Sequence, residues 1–366
     1  MSEADSNQPP DDLEALRRRI DEIDLRLIQA LSDRAEVVVE VGKLKQTDGT
    51  PIYAPHREKQ VLEKVLGLNE GPLPGRTIEA IYRELMSGSF RLEMPLRVGY
   101  LGPEGSFSHV AATRHFGSSV DFDDLHEIEH VFKEVQAGRC HYGLVPYENS
   151  IGGGITDTLD AFQISEVTIY AEALIDVAQA LLTNGPPNEI LRIYSKPQIF
   201  SQCRQWLRNQ YPEAELIPMA SSSAAVKHAA AEPNAAAIGS ELAGEIYGVK
   251  PVFTAIQDKP NNITRFLIIG TQAARPSGED KTTIMFVTAH KPGALVDVLG
   301  VFRDASINLS HIEKRPSGRQ NWDYTFFIDC DSHQEDATMK RAIDEARTHC
   351  VSLKVLGSYP KAQRVL

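Results

Sequence analysis

Positive charge is scarce in this chain. Its 38 lysines and arginines face 50 aspartates and glutamates, for a net charge of -12. That balance argues against a general nucleic-acid or anionic-membrane surface, so any anion site must be built from a local cluster of cations. Cysteine is rarer still. The four residues Cys140, Cys203, Cys330 and Cys350 are scattered without metal-ligand spacing and read as free thiols of a reducing compartment. No stretch approaches the length of a membrane span, and the opening MSEADSNQPPDD is polar and acidic where a secretory signal would be basic and then apolar. The expectations are therefore a cytoplasmic protein with no metal centre, no nucleic-acid partner and no membrane partner.

What is present is enough chain for two or three domains, since 366 residues exceed one ordinary core. The segment from Gly143 to Asp160, GLVPYENSIGGGITDTLD, passes from apolar strand to bare glycine to helix start. Gly152, Gly153 and Gly154 let a ligand approach the backbone, and Thr156 or Asp157 is a suitable N-cap for the helix that follows. Free amides at that helix start suit a small anion.

Before it lies a long helical pattern. Asp11 or Asp12 caps a helix running to about Gln46, and one stripe along it holds Leu13, Arg17, Ile20, Asp24, Leu27, Leu31, Arg34, Val38, Val41 and Lys45. A single cation on an apolar stripe usually snorkels to water. Three on one stripe point to an anionic ligand, because a cation held against a core needs a partner. Arg34 and Lys45 are eleven positions apart, roughly 16 Å along a helix, and flank one bound dianion. Arg17 lies 28 positions from Lys45, roughly 42 Å, and reaches the same site only from an antiparallel partner helix. An intertwined homodimer, or a higher homo-oligomer built on it, is the expectation. Further helices begin at Arg57-Glu58 and run from about Arg76 to Glu93.

Leu16-Arg17, VEVGKLK, APHRE and IYRELMSGS together resemble the all-helical chorismate mutase domain. The resemblance implies residues 1–94 as a three-helix domain that rearranges chorismate to prephenate. It also implies that Arg17 of the partner, Arg34 and Arg57 hold the carboxylates, that Lys45 donates to the ether oxygen, and that Glu58 binds the substrate hydroxyl, with Ser89 beside them. A pericyclic rearrangement needs a folded substrate and a stabilised oxygen, which fixed cations supply. Two positions depart from relatives: Ala54 stands where some carry aspartate, and Glu93 where some carry glutamine beside the ether oxygen. An ionised Glu93 would repel the developing charge, so full activity is expected to require its protonated form and to decline as pH rises.

From Pro95 the texture changes to alternating strand and helix, with units at Val98–Leu101, Tyr194–Gln198, Ala220–Ser223 and Ala236–Gly239 and a returning strand at Asn262–Ile269. GPEGSFS, VPYENS, the Ser195–Gln202 segment and NITRF resemble prephenate dehydratase. That family implies a two-lobed α/β domain, like the periplasmic binding proteins, over residues 95–273. Its reaction expels carbon dioxide and the ring hydroxyl, driven by aromatisation, so no cofactor is expected. By resemblance Thr264 donates to the leaving hydroxyl and Arg265 binds a carboxylate. Ser106, Asn149, Ser195 and Gln202 line the site, Glu148 manages a proton, and Phe266 walls the ring or sits in the core.

The final part, 280–366, reads as βαββαβ, with strands at Thr282–Val287, Asn308–Glu313, Trp322–Ile328 and Val351–Leu356 and helices at Gly293–Arg303 and Asp336–Arg347. HKPGALVDVLGVF and INLSHIEKRPS resemble an ACT domain, an α+β ferredoxin-like fold, of the phenylalanine-sensing kind. That kind implies an amino-acid site framed by Gly293, Ala294, Leu295, Asn308, Glu313 and Arg315, with Lys314 standing where relatives commonly have serine. The combined expectation is a bifunctional enzyme making phenylpyruvate from chorismate under feedback by L-phenylalanine. An arogenate-preferring dehydratase and a non-catalytic amino-acid-sensing protein are the alternatives.

Overall fold

The computed structural model describes residues 13–317 and 323–366. The expected cap at Asp11 or Asp12, and Trp322, lie outside the described residues. The N-terminal part is helical: α1 (Leu13–Asp48), α2 (Pro55–Gly67) and α3 (Gly75–Glu93). With 36 residues, α1 is roughly 54 Å long. It packs chiefly on α3, and Gly42 is its one buried residue among those described. A Cβ there would stand 2.9 Å from the Glu93 Cα, so the glycine sets the close approach of the two helices. Much of α1 is uncovered: Leu25 is 74% exposed, Leu27 55% and Val37 59%. The helix thus leaves an apolar stripe uncovered along much of its length. Ala54 is the N-cap of α2 and offers no side-chain acceptor, which costs about 1 kcal/mol relative to an aspartate there.

Two lobes follow. The first is built from β1 (Arg97–Leu101), α4 (Phe107–Phe116), β2 (Asp121–Leu125), α5 (Ile128–Gln136), β3 (Tyr142–Asn149), β4 (Gly153–Gly154), α6 (Thr156–Ile164) and β5 (Thr168–Asp176). The second contains β6 (Ala180–Leu182), β7 (Arg192–Ser195), α7 (Pro197–Gln202), α8 (Arg204–Gln210), β8 (Glu215–Pro218), α9 (Ser222–Ala229), β9 (Ala235–Gly239), α10 (Glu241–Tyr247) and β10 (Pro251–Phe253). The chain then returns to the first lobe through β11 (Ile263–Gly270). The first sheet has the order β2-β1-β3-β11-β5, with β4 folded back on β3, and the second has the order β10-β6-β9-β7-β8. Because β11 inserts antiparallel between β3 and β5, the chain crosses between lobes twice, and the crossings lie beside the cleft.

The C-terminal part is β12 (Asp280–Thr288), α11 (Ala294–Asp304), β13 (Leu309–Pro316), β14 (Tyr324–Asp331), α12 (Ala337–Thr348) and β15 (Cys350–Pro360). Its sheet order, β13-β14-β12-β15, is the ferredoxin-like one expected. One face packs on α11 and α12 through Ile284, Phe286, Phe302 and Ile328, while the other meets the first lobe through Phe327, Leu356 and Tyr359.

At the centre of the joint between the helical part and the first lobe is a tyrosine. Tyr53, just before α2, is 1% exposed and sits edge-on among Phe90, Phe116, Tyr142 and Tyr170. Its hydroxyl meets His115 Nε2 at 2.7 Å. Burial pushes the His115 pKa down to about 3, so that ring is neutral. Tyr170 donates to the Tyr53 carbonyl at 2.9 Å, which leaves the buried phenol and its backbone satisfied.

Candidate functional sites

On the helical part, α1 and α3 bring four expected residues together. Lys45 Nζ lies 2.7 Å from Glu93 Oε2 and donates to the Ile52 carbonyl at 3.2 Å. Arg34 donates to Ser89 Oγ at 2.8 Å, and that hydroxyl in turn donates to the Leu85 carbonyl. Arg34 and Lys45 are half-buried, as the stripe predicts, whereas Arg17 is exposed on the uncovered end of the helix.

The structure does not gather every expected residue there. Arg57 is exposed and donates to Gln60. Glu58 instead lines a cavity of about 180 Å³ where α2, α3, β5 and the chain's end meet, beside Arg83, Arg364 and Leu62. Burial raises its carboxyl to about 7, against the opposing pull of the two arginines. That corrects the expectation that Glu58 stands with Lys45.

In the two-lobed part, one amide ties β3, the glycine loop and β11 together. Asn149, at the end of β3, accepts from the backbone N–H of Ile151 at 3.0 Å and of Gly152 at 2.9 Å through Oδ1. Its Nδ2 must therefore face β11, where it donates to Thr264 Oγ1 at 2.9 Å and to Asn262 Oδ1 at 2.8 Å. Since Thr264 Oγ1 accepts from Asn149, its own proton is left to donate elsewhere. Asn262 also lines a cleft of about 360 Å³ with Ile151, Ser201, Gln202, Gln257 and Lys259.

Other expected residues are placed differently. Arg265 is the neighbour of Thr264 on β11 and leaves the opposite face of the sheet. It is buried, donates to Glu172 at 2.7 Å, Asp329 at 2.5 Å and the Tyr359 hydroxyl at 2.8 Å, and lies over the Tyr147 ring. Removing one partner from so enclosed a set costs roughly 3–5 kcal/mol. Arg265 therefore joins the first lobe to the C-terminal sheet and holds no carboxylate in the cleft. Glu148 shares its face, 3.4 Å from His311 Nδ1 and 3.7 Å from Arg265. The bond from His311, reinforced by the Arg265 charge, holds its carboxyl below the usual range, so Glu148 does not store a proton at neutral pH.

Phe266 is core, packed among the buried residues that include Tyr53, Ala173 and Ile175. Ser106 caps α4 by accepting from His109 N–H, and buried Ser195 donates to the Ile238 carbonyl, so both hydroxyls serve the fold. Gln202 does line the cleft. Lys259, which sequence reasoning missed, is a cation there; its signal was a lysine three residues before Asn262-Ile263-Thr264.

The glycine segment also differs. The N-cap of α6 is Ile155, without a side-chain bond, and neither Thr156 nor Asp157 caps it. The anion on the glycine amides is the chain's own: Glu313 Oε1 accepts from Gly154 N–H at 3.2 Å. Arg315 likewise pairs in bidentate fashion with Asp160, at 2.9 and 2.7 Å. Glu313 and Arg315 thus face the first lobe, which corrects their expected place around an amino acid. Gly293 is the left-handed N-cap of α11, Ala294 is buried, Leu295 packs on the C-terminal core, and Asn308 donates to Asp331.

Comparison with known proteins agrees with this division. Three family models match in order: chorismate mutase type II over residues 16–94, prephenate dehydratase over 98–274 and ACT domain over 282–348. A bifunctional chorismate mutase/prephenate dehydratase of Stutzerimonas stutzeri is 42% identical over 369 residues, covering 99% of this chain and 100% of the relative. This chain belongs to that bifunctional family. Its namesake in Pseudomonas aeruginosa is also 42% identical, over 96% of this chain and 98% of that one. Among solved structures, a prephenate dehydratase from Arthrobacter aurescens in complex with L-Phe has a TM-score of 0.68 at 30% identity, covering 73% of this chain and 90% of that one. The Staphylococcus aureus prephenate dehydratase has a TM-score of 0.64 at 31% identity, over 72% of this chain and 100% of that one. No helix among the described residues is long and apolar enough to cross a membrane.

The Glu58 carboxyl yields a stability test. With a folded value near 7 and an ordinary value of 4.5, the folded protein keeps a proton that the unfolded chain has lost between those limits. Stability therefore falls as pH rises through that window. Glu58→Gln removes the effect, so its Tm gain over the parent is expected to be larger at pH 8 than at pH 5, measured by calorimetry. Equal differences at the two pH values would contradict the assignment.

Proposed function

We propose that the protein converts chorismate to prephenate on its helical domain and prephenate to phenylpyruvate in the cleft, under feedback by L-phenylalanine bound to its C-terminal domain. In the mutase site, Arg34 and Lys45 of one chain and Arg17 of a second hold the substrate's carboxylates and ether oxygen, in a cytoplasmic homodimer. The bare apolar length of α1 supports that assembly. Lys45 pairs with Glu93, and bound chorismate competes for that cation through its ether oxygen.

In the cleft, the observation that carries the reading is the Asn149–Thr264 bond. It aims the threonine proton at the leaving hydroxyl as the ring becomes aromatic and carbon dioxide departs. A threonine is a weak acid, so its part is a directed hydrogen bond. Lys259 and Gln202 supply charge and polarity for the substrate carboxylates. L-phenylalanine, bound in the Arthrobacter aurescens relative, is taken at the Gly293–Leu295 turn with Asn308. It inhibits by favouring a less active arrangement of the cleft.

Mixing chorismate with the protein and following the ultraviolet spectrum tests both activities: chorismate should vanish and phenylpyruvate appear. Thr264→Val is expected to lower dehydratase turnover by about 100-fold or more with mutase unchanged, while Thr264→Ser retains most of it. Equal activity of the valine variant would end this assignment. Glu93→Gln, which removes the anion beside Lys45, is expected to raise mutase turnover; an unaltered rate would show that Glu93 plays no such part. Arg17→Ala and Lys45→Ala, each inactive alone, should regain about a quarter of parental activity after unfolding and refolding together, because one site in each mixed dimer is intact. No recovery, with mixed dimers demonstrated, would refute the shared pocket.

A further inference from the structure

The C-terminal domain holds one edge of the dehydratase site through a single strand. On β13, alternate side chains leave the same face, and His311, Glu313 and Arg315 all turn toward the first lobe. His311 meets Glu148 at 3.4 Å, Glu313 takes the Gly154 amide at 3.2 Å, and Arg315 grips Asp160 through both carboxylate oxygens. These three anchors bracket residues 148–160. Within that bracket lies Asn149, whose amide both folds the loop through Ile151 and Gly152 and bonds Thr264.

The fit at the middle anchor is tight. A Cβ at Gly154 would stand 2.9 Å from Glu313 Oε1, and Gly153 has a left-handed φ of 77°. Gly153 and Gly154 also pair back on Asn149 and Glu148 as β4. A displacement of β13 along its length would therefore be delivered to the backbone that orients Asn149.

We propose that His311, Glu313 and Arg315 form a clamp that positions the Asn149 loop against Thr264, so that the dehydratase site is set by a strand of the regulatory domain. Glu313 is its central positioning residue. Its carboxylate is the ligand that the glycine loop would otherwise offer to a free anion. This rests on the reading of Asn149 and Thr264 as the dehydratase centre.

The test uses the full chain and two variants, Glu313→Ala and Glu313→Gln, of which the second keeps an acceptor oxygen for the Gly154 amide. Glu313→Ala is expected to lower kcat for prephenate about 10-fold, with a smaller change in KM and an unchanged mutase rate as the control for folding. Glu313→Gln should restore at least half of the parental kcat. Hydrogen exchange followed by mass spectrometry should be faster in the peptide spanning 149–155 of the alanine variant, and unaltered in α1. Unchanged exchange there, or faster exchange with an unchanged kcat, would overturn the clamp. If the parental protein fails to turn over prephenate, the dehydratase reading falls, while the exchange measurement still decides whether Glu313 holds the loop.

Discussion

Consecutive side chains on a strand leave opposite faces of the sheet, and at Thr264 and Arg265 this puts the Asn149 amide on one side and the C-terminal sheet on the other. Thr264 takes the Asn149 amide beside the cleft residue Asn262, while Arg265 passes through to two carboxylates and a phenol on the far side. A guanidinium buried among Glu172, Asp329 and Tyr359 tolerates little displacement, since a charge left without its partners in that setting is strongly destabilising. The position of β11, and with it the direction of the threonine hydroxyl, is thereby tied to the C-terminal sheet. The same alternation operates one strand away, where Asn149 faces Thr264 and Glu148 faces His311.

The order of helical, two-lobed and ferredoxin-like parts was legible from periodicity and from local runs such as VPYENS and NITRF. The α1 stripe located Arg34 and Lys45, because helical spacing translates directly into a shared face. Ser89 and Glu93 came only from resemblance, and packing of α1 on α3 at Gly42 brings them to those cations.

Two of the errors share a physical origin. Motif residues adjacent in sequence were assigned to one site, although in a strand adjacency forbids it. Arg265 and Glu148 were both drawn toward the cleft in this way, and the strand period alone would have separated Arg265 from Thr264. Glu313 and Arg315 were misplaced for a different reason. Their partners, Gly154 and Asp160, lie more than 150 positions away, and no local pattern announces a contact of that range. The glycine loop was read correctly as a place for an anion, but sequence could not say that the anion would be a side chain of the same molecule.

The aromatic contact at Tyr53 bears on how such a protein is assembled in evolution. Its ring fills a socket of phenols and phenyls that belongs mostly to the neighbouring catalytic unit, and its carbonyl caps a buried tyrosine there. A dehydratase cut free of its mutase would carry that hollow open to water, with the Tyr170 hydroxyl deprived of its acceptor. Fission of the gene at this joint would thus expose the rings of the socket at a cost in apolar burial. Fusion, once fixed at this joint, works like a ratchet.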